Sequence, residues 1–511
     1  MAATTQGKNM LGQDELKAVV NIGIELTTEK NKDRLLSKMV TSAMDIAECD
    51  AGTLYIYEGG ELHFKIMRTI SQNVDRGAKG EVIDIPPVPL LEENVCAYSA
   101  IHRELINIRD VYENDRFDFS GPKKYDSITG YRTGSMLVIP LEDGENSLVG
   151  VLQLMNKTGE NGEFIPFTGD DEFAIRSLGS MAAISLSNMI YMEEIKLQMH
   201  SFTRAFATAV DARTPYNGTH TRKVTFYASL LADVINKKHD MGETADFLND
   251  AAKEQLTLSA TLHDIGKMIV PLSVMNKSTR LEDRLTIVEN RFDKLSLLYE
   301  RDFYRGDISA EENDTMQQYI ADSMDYIRQK NSAGFMPDED MDRIKDIASH
   351  FYTYQGGDKL FFLTDEEKEC LLIRKGTLTE DERRIMESHV VMTKKILSSV
   401  HFNKKYRNVL KYASTHHELL DGSGYPDHLK GDELDLETKI LAVVDIYDAL
   451  TCTDRPYKKP MPREKAFSIL FEMADSGKLE KRLVEYLQEG VKDYTQSEID
   501  KLADRLFEGE V

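Results

Sequence analysis

Two short stretches concentrate the residues that could do chemistry. His416-His417-Glu418 is followed closely by Asp421-Gly422-Ser423-Gly424-Tyr425-Pro426, and far upstream stands His263-Asp264-Ile265-Gly266-Lys267. Adjacent imidazoles are costly to bury unless hydrogen bonds or a metal satisfy them. A glycine-rich turn lets backbone approach a ligand closely. Three more residues belong with these. Asp445 lies in the strongly apolar run 440–448, where an ionised carboxylate must be paired or bind a metal. His389 follows a capping box, Thr379 with Glu382, and His220 opens the first helix of its half. A lone histidine is more often a hydrogen-bonded core residue. Adjacent His-Asp, adjacent His-His and a buried Asp together are hard to satisfy without cations. Imidazole and carboxylate donors without cysteine suit Fe, Mn or Zn better than Mg or Ca. The pattern is that of a metal-dependent hydrolase acting on a phosphate ester. Lys267, one helical turn beyond Asp264, can reach a phosphate oxygen.

The elements that must position these groups are mostly helices. His263 ends a helix that carries Leu256, Leu258, Ala260 and Leu262. The motifs fall in 204–277 and 374–475, and residues from about 280 to 373 interrupt them. There, Leu281, Leu285, Val288, Phe292, Leu295 and Tyr299 form one amphipathic stripe, and Met316, Ile320, Ser323 and Ile327 another. The spacing predicts an inserted helical hairpin for packing, dimer contact or gating, with His350 as its one histidine. Before Asp170 the chain reads as α+β: a helix over 16–47, then strands 51–57 and 62–67 joined by Glu58-Gly59-Gly60. A second hairpin is expected from 134–141 and 148–155, and the intervening Pro86-Pro87-Val88-Pro89 stretch is expected to cover a pocket. From Asp170 to about Val210 one long helix carries Ile175, Leu178, Ala182, Ser185, Met189, Met192, Lys196 and Met199 at spacings of three and four. That is either a helix packed on its own domain or a parallel dimer seam that carries a signal.

With 511 residues, two to four domains are expected. Hydrophobic residues at 41% and charged residues at 29% fit soluble globular domains. The net charge of -24 argues against nucleic acid as a partner. Metal ions and a few cations can still reverse the sign locally for an anionic substrate. No apolar run is long enough to span a membrane, and the start does not read as a signal peptide. Cys49, Cys96, Cys370 and Cys452 form no CxxC pair, which fits a reduced cytoplasm.

Residues 204–475 resemble the HD-GYP family of cyclic di-GMP phosphodiesterases, a branch of the HD hydrolase superfamily. The resemblance rests on 263–267, 416–418, 421–426, Asp445-Ile446-Tyr447-Asp448-Ala449-Leu450 and Arg455-Pro456-Tyr457. It implies one metal held by His220, His263, Asp264 and Asp445, and a second by His389, His416 and His417, with Asp264 bridging. Some members hold a third metal with a Glu four residues before the first histidine. Here that position is Tyr216, so two divalent ions are expected, Fe or Mn. The implied reaction is hydrolysis of cyclic di-GMP to linear pGpG by a metal-bridging hydroxide. Asp264 and Lys267 are the catalytic candidates. Lys267, Gly424, Tyr425, Arg455 and Lys458 are the substrate-binding candidates, the last two for the second phosphate. An extra residue between Asp448 and Arg455, relative to the family spacing, sets them apart from the firmer matches, and a solvated surface pair is their alternative. Gly422 and Gly424 would let backbone approach the ligand. Tyr425 would pack on a guanine or support a metal ligand, and Glu418 would orient a ligand histidine. The rival readings are an HD-type hydrolase of another cyclic dinucleotide and a noncatalytic scaffold that reports ligand occupancy.

Residues 13–195 resemble a GAF domain through Asn156, Lys157, Phe167, Asp171 and Glu172, the pattern NKxnFx3DE of cyclic-nucleotide-binding members. A Lys157–Asp171 ion pair would clamp a strand to a helix start, with or without a nucleotide. The expected organisation is thus a GAF sensor domain (13–170), a connecting helix (171–203), an all-α HD-GYP domain (204–475) with an insertion at about 280–373, and a helical tail (476–511). A cytoplasmic homodimer with a small ligand at the GAF domain completes the expectation.

Overall fold

The computed structural model describes residues 13–213, 219–452 and 461–509. The chain divides after Met199 into two compact units.

In the first unit, α1 (Gln13–Thr28) and α2 (Lys32–Ala47) precede β1 (Cys49–Glu58), β2 (Glu61–Thr69), β3 (Val74–Arg76) and β4 (Val88–Pro89). Then come α3 (Val95–His102), β5 (Ile106–Ile108), α4 (Ser120–Thr129), β6 (Met136–Glu142), β7 (Leu148–Thr158), β8 (Phe164–Ile165) and α5 (Gly169–Asp211), whose last turns lie past the division at Met199. The strands form one sheet in the order β3-β2-β1-β7-β6-β5, with β4 on β2 and β8 on β7. Gly59 and Gly60 take positive φ (61° and 90°), as the tight turn between β1 and β2 demands. The single helix expected over 16–47 is broken. Glu29 accepts the N–H groups of Lys30 and Asn31, and Asn31 caps α2 by accepting the Arg34 N–H. These local bonds satisfy the backbone better than helix continuation would.

One sheet face packs against α2 and α5 through Leu35, Met39, Leu152, Ile175 and Leu178. The other is filled by Tyr55, Leu62, Val95, Phe117, Met136 and Val151, and the Tyr55 hydroxyl donates to Gln153 at 3.0 Å. The Pro86–Pro89 stretch, expected to cover a pocket, pairs along β2 (Leu62↔Val88) and packs Val88 on this filled layer. The expected helix seam divides. Ile175, Leu178, Ala182 and Ser185 are buried and Met189 packs on the same core, whereas Met192 is 65% exposed. This stretch of α5 therefore packs on its own unit. A different set, Ile184, Tyr191 and Ile195, is exposed at spacings of seven and four.

The second unit contains α6 (His220–Asp240), α7 (Asp250–Leu262), a 3₁₀ turn (Ile265–Ile269) and α8 (Leu272–Met275). An insertion follows: α9 (Arg284–Arg305), α10 (Ala310–Asn331), α11 (Asp338–Ser349), β9 (Phe351–Thr353), β10 (Lys359–Phe361) and α12 (Asp365–Leu371). The main body resumes with α13 (Glu380–Leu397), α14 (Val409–Ala413), α15 (Leu436–Thr451), α16 (Arg463–Asp475), α17 (Lys481–Val491) and α18 (Gln496–Glu508). Its core joins Tyr227 and Leu231 of α6 to Val444 and Tyr447 of α15, Phe467 of α16, Leu483 of α17 and Ile499 of α18.

The insertion is more than the expected hairpin. Four helices and a two-stranded sheet share a core of Val288, Phe292, Ile320, Ile327, Ile344 and Phe362. Two amphipathic helices alone would leave their stripes half covered, and α11 and α12 complete the layer. Arg280, fully buried, closes it by donating to the carbonyls of Lys330, Ala333 and Ile373. Lys277 ties its entry to α13 through Glu382 at 2.6 Å.

Candidate metal centre

Five helices deliver the site. His263 caps α7, Asp264 starts the following turn, His389 lies on α13, and Asp445 lies on α15. His220 is the first residue of α6, and His416-His417 lie just beyond α14. All seven residues expected to bind metal converge. His389, His416 and His417 form one group of mutually close donor atoms, and His220, His263 and Asp445 form another. Asp264 reaches both. Its Oδ2 is 3.3 Å from His220 Nε2 and 3.2 Å from His263 Nε2, and its Oδ1 is 3.4 Å from His389 Nε2. Asp445 Oδ1 is 3.3 Å from His220 Nε2, and its Oδ2 is 3.5 Å from His417 Nδ1.

The histidines are oriented by their own helices. Nδ1 of His263, His389 and His416 bonds the carbonyl three residues earlier, at Ala260, Met386 and Ala413 (2.6, 2.6 and 2.8 Å). A carbonyl only accepts, so Nδ1 carries a proton in each, and Nε2 faces the site. His389 Nε2, His416 Nε2 and Asp264 Oδ1 are buried without a hydrogen-bond partner. Buried lone pairs converging without donors are the arrangement a cation satisfies. The residues present therefore fit divalent metal. Burial pushes His389 down to about 4 and His416 well below the usual imidazole range, so both are neutral donors. Burial opposes the charged form of His263 too, but the Asp264 and Asp445 carboxylates outweigh it and raise His263 to about 9. Both carboxylates, despite burial, are held well below their usual range by the surrounding histidines and, for Asp264, Lys267.

The loop and turn residues are placed as follows. Lys267 Nζ lies 2.5 Å from Asp264 Oδ2, so its ammonium points into the centre. The Tyr425 ring lies against His417, with centroids 4.8 Å apart. Glu418 differs from expectation. Its oxygens accept the N–H groups of Asp427 and Leu429, so it orders the loop rather than a histidine. The close approach at Gly424 is to the chain itself: a Cβ there would lie 2.4 Å from the Leu419 nitrogen and 2.5 Å from the His417 oxygen. Arg455, Tyr457, Lys458 and Tyr216 lie outside the described residues.

Two supporting residues were not singled out from the sequence. Asp448 accepts from His220 Nδ1 at 2.7 Å, and its signal is its place one turn beyond Asp445. Thr393 donates to the His263 carbonyl at 2.9 Å and accepts the Gly266 N–H at 3.0 Å. It sits one turn beyond His389 on α13, but an isolated threonine carries no motif.

In the first unit, the Lys157 ammonium donates to Asp171 at 2.7 Å and to the Ala47 carbonyl at 3.1 Å, all buried. Asn156 bridges Gly134 N–H and the Arg132 carbonyl. Phe167 is buried, and Glu172 accepts from Asn107 at 2.7 Å. The five motif residues thus engage the protein's own groups.

Comparison with known proteins adds the family. Residues 368–483 match the HD domain. The C-terminal region carries an HD domain. The matched stretch of that HD domain includes His389, His416, His417 and Asp445, while His220, His263 and Asp264 precede it across the insertion. A 3'3'-cGAMP-specific phosphodiesterase of Vibrio cholerae is 39% identical over 103 residues, covering 20% of this chain and 22% of that protein. A cyclic di-GMP phosphodiesterase response regulator of Xanthomonas campestris is 38% identical over 123 residues (24% and 32%). A cyclic di-GMP phosphodiesterase of Thermotoga maritima is 40% identical over 109 residues (21% and 28%). The chain thus spans less than a third of the length of each of these relatives. Among solved structures, the GAF domain of an Acinetobacter phosphoenolpyruvate-protein phosphotransferase aligns over 36% of this chain and 99% of its own, with 14% identity and a TM-score of 0.28.

Proposed function

We propose that this protein is a metal-dependent phosphodiesterase that hydrolyses cyclic di-GMP to linear pGpG under control of an N-terminal GAF sensor. The observation that carries the reading is the convergence of five histidines and two aspartates from separate helices, with three lone-pair atoms buried and unpartnered. In this reading His220, His263, Asp264 and Asp445 hold one ion, and His389, His416 and His417 the other, with Asp264 shared. Nitrogen and carboxylate donors favour Fe or Mn. When bound, such ions polarise a phosphoryl oxygen and acidify a water.

The chain's own groups supply the rest. The i−3 carbonyls keep three imidazoles in the donor tautomer, so nothing reorganises as substrate arrives. Lys267 sits close enough to Asp264 to move its ammonium onto a phosphate oxygen at the same centre. Tyr425 walls the site beside His417. Arg455 and Lys458 are proposed to take the second phosphate of the dinucleotide.

The test is product analysis of anaerobically iron- or manganese-loaded protein on a panel of cyclic dinucleotides. Cyclic di-GMP should yield pGpG, and tight binding without cleavage would favour a reporting scaffold instead. The relative named as cGAMP-specific supports a second reading, in which 3'3'-cGAMP is the preferred substrate; the same panel separates the two.

The first unit is proposed to sense a cyclic nucleotide or another small ligand. Its Lys157–Asp171 pair supports the structural clamp without implying a nucleotide. The exposed set Ile184, Tyr191 and Ile195 supports a homodimer through α5. Among the described residues no helix is long and apolar enough to cross a membrane, and a cytoplasmic location is part of the proposal.

A further inference from the structure

Three of the site histidines are held alike and one is not. His263, His389 and His416 each use a carbonyl three residues back. His220 is the first residue of α6, so no preceding helical turn offers it one. Its Nδ1 instead lies 2.7 Å from Oδ2 of Asp448, which is itself buried on α15, one turn beyond Asp445. We propose that Asp448 is a positioning residue, fixing His220 with Nδ1 protonated and Nε2 aimed between Asp264 and Asp445. This rests on the metal-centre reading above. A carboxylate acceptor also makes the imidazole a more basic ligand than a carbonyl would.

Lys223 lies one turn after His220 on α6 and is buried. Its ammonium is 3.2 Å from Asp500 of α18. The C-terminal helix thereby pairs with a buried cation of the helix that begins at His220.

The test uses the full chain, stripped of metal and titrated anaerobically with Co²⁺, followed by visible absorption and by metal content after desalting. Asp448→Ala should weaken one ion equivalent by about 10- to 100-fold and spare the other. Asp448→Asn keeps an oxygen that accepts from Nδ1–H and should recover most of that loss. Wild-type Co²⁺ affinity and stoichiometry in Asp448→Ala, or equal impairment in both variants, would overturn the proposal. Imidazole ¹⁵N spectra of the metal-free wild type, taken at alkaline pH where His220 is neutral, provide a readout independent of variant folding. The His220 resonances, assigned through His220→Gln, should show a protonated Nδ1, and an Nε2–H tautomer sinks the idea. If the wild type binds no Co²⁺ yet shows the Nδ1–H tautomer, the metal reading fails while the Asp448 contact stands.

Discussion

Gly266 is the tightest point between the two halves of the metal centre. A methyl group on its Cα would meet the His389 carbonyl oxygen at 1.9 Å, the Thr393 nitrogen at 2.6 Å and the His389 carbonyl carbon at 2.8 Å. All are backbone atoms, and ordinary contact begins near 3.4 Å. In Gly266→Ala, α13 and the 3₁₀ turn must therefore part by about 1.5 Å. That separation strains or breaks the Gly266 N–H bond to Thr393 and the Thr393 bond to the His263 carbonyl. Overpacking costs about 1–3 kcal/mol and each lost hydrogen bond about 1 kcal/mol, for a total of about 3–5 kcal/mol. At about 2–3 °C per kcal/mol for a unit of this size, its melting transition should fall by about 6–15 °C. His389 would also be displaced from His416 and His417, which should weaken ion binding by about 10- to 100-fold. Calorimetry of the metal-free protein and metal content after desalting read the two effects separately. A variant that melts within about 1 °C of wild type and keeps its full complement of ions would refute the packing argument.

Other outcomes follow from single groups. Asp264→Ala should empty both ion positions, because one carboxylate serves both groups; retention of two metals would rule out the shared role. Lys157→Met leaves Asp171 buried without its ammonium and should destabilise the first unit by about 3 kcal/mol, read by urea denaturation. Burial pushes the Cys49 and Cys96 thiols up to about 12, so neither should react with iodoacetamide at pH 8 in the native protein; stoichiometric labelling within minutes would contradict their burial.

The seven converging residues were legible because, taken together, their chemistry is hard to reconcile with a bland role. An Asp in an apolar helix and paired histidines demand an explanation wherever the chain folds. Their supports were less visible for a physical reason. Thr393 acts through a hydroxyl that bridges α13 to the turn after Asp264, 127 residues away from Gly266 in sequence, and no local pattern encodes that meeting. Glu418 stands next to two ligands, yet its oxygens are claimed by loop amides nine and eleven residues on. Proximity in sequence to a ligand does not decide which donor a carboxylate finds. In the first unit the strand runs and the Gly59-Gly60 turn were readable, whereas the break at Glu29–Asn31 depends on two side chains outcompeting helix propensity in a stretch otherwise well patterned.

The insertion shows why a long interruption need not disturb a site assembled from both of its flanks. The chain leaves the main body after α8 and returns before α13, the helix that carries His389. Loop-closure entropy grows only slowly with length, so a long excursion costs little more than a short one provided its ends are held. They are held twice. Arg280 binds the carbonyls of Lys330 and Ala333 near the end of α10 and that of Ile373 at the exit, and Lys277 grips Glu382. Glu382 also closes the capping box on Thr379 at the start of α13. One carboxylate thus fixes both the insertion's entry and the first turn of the helix that brings His389 to Asp264. The insertion is thereby attached to the metal centre through the helix that positions a ligand, although it contributes none of the seven converging side chains itself.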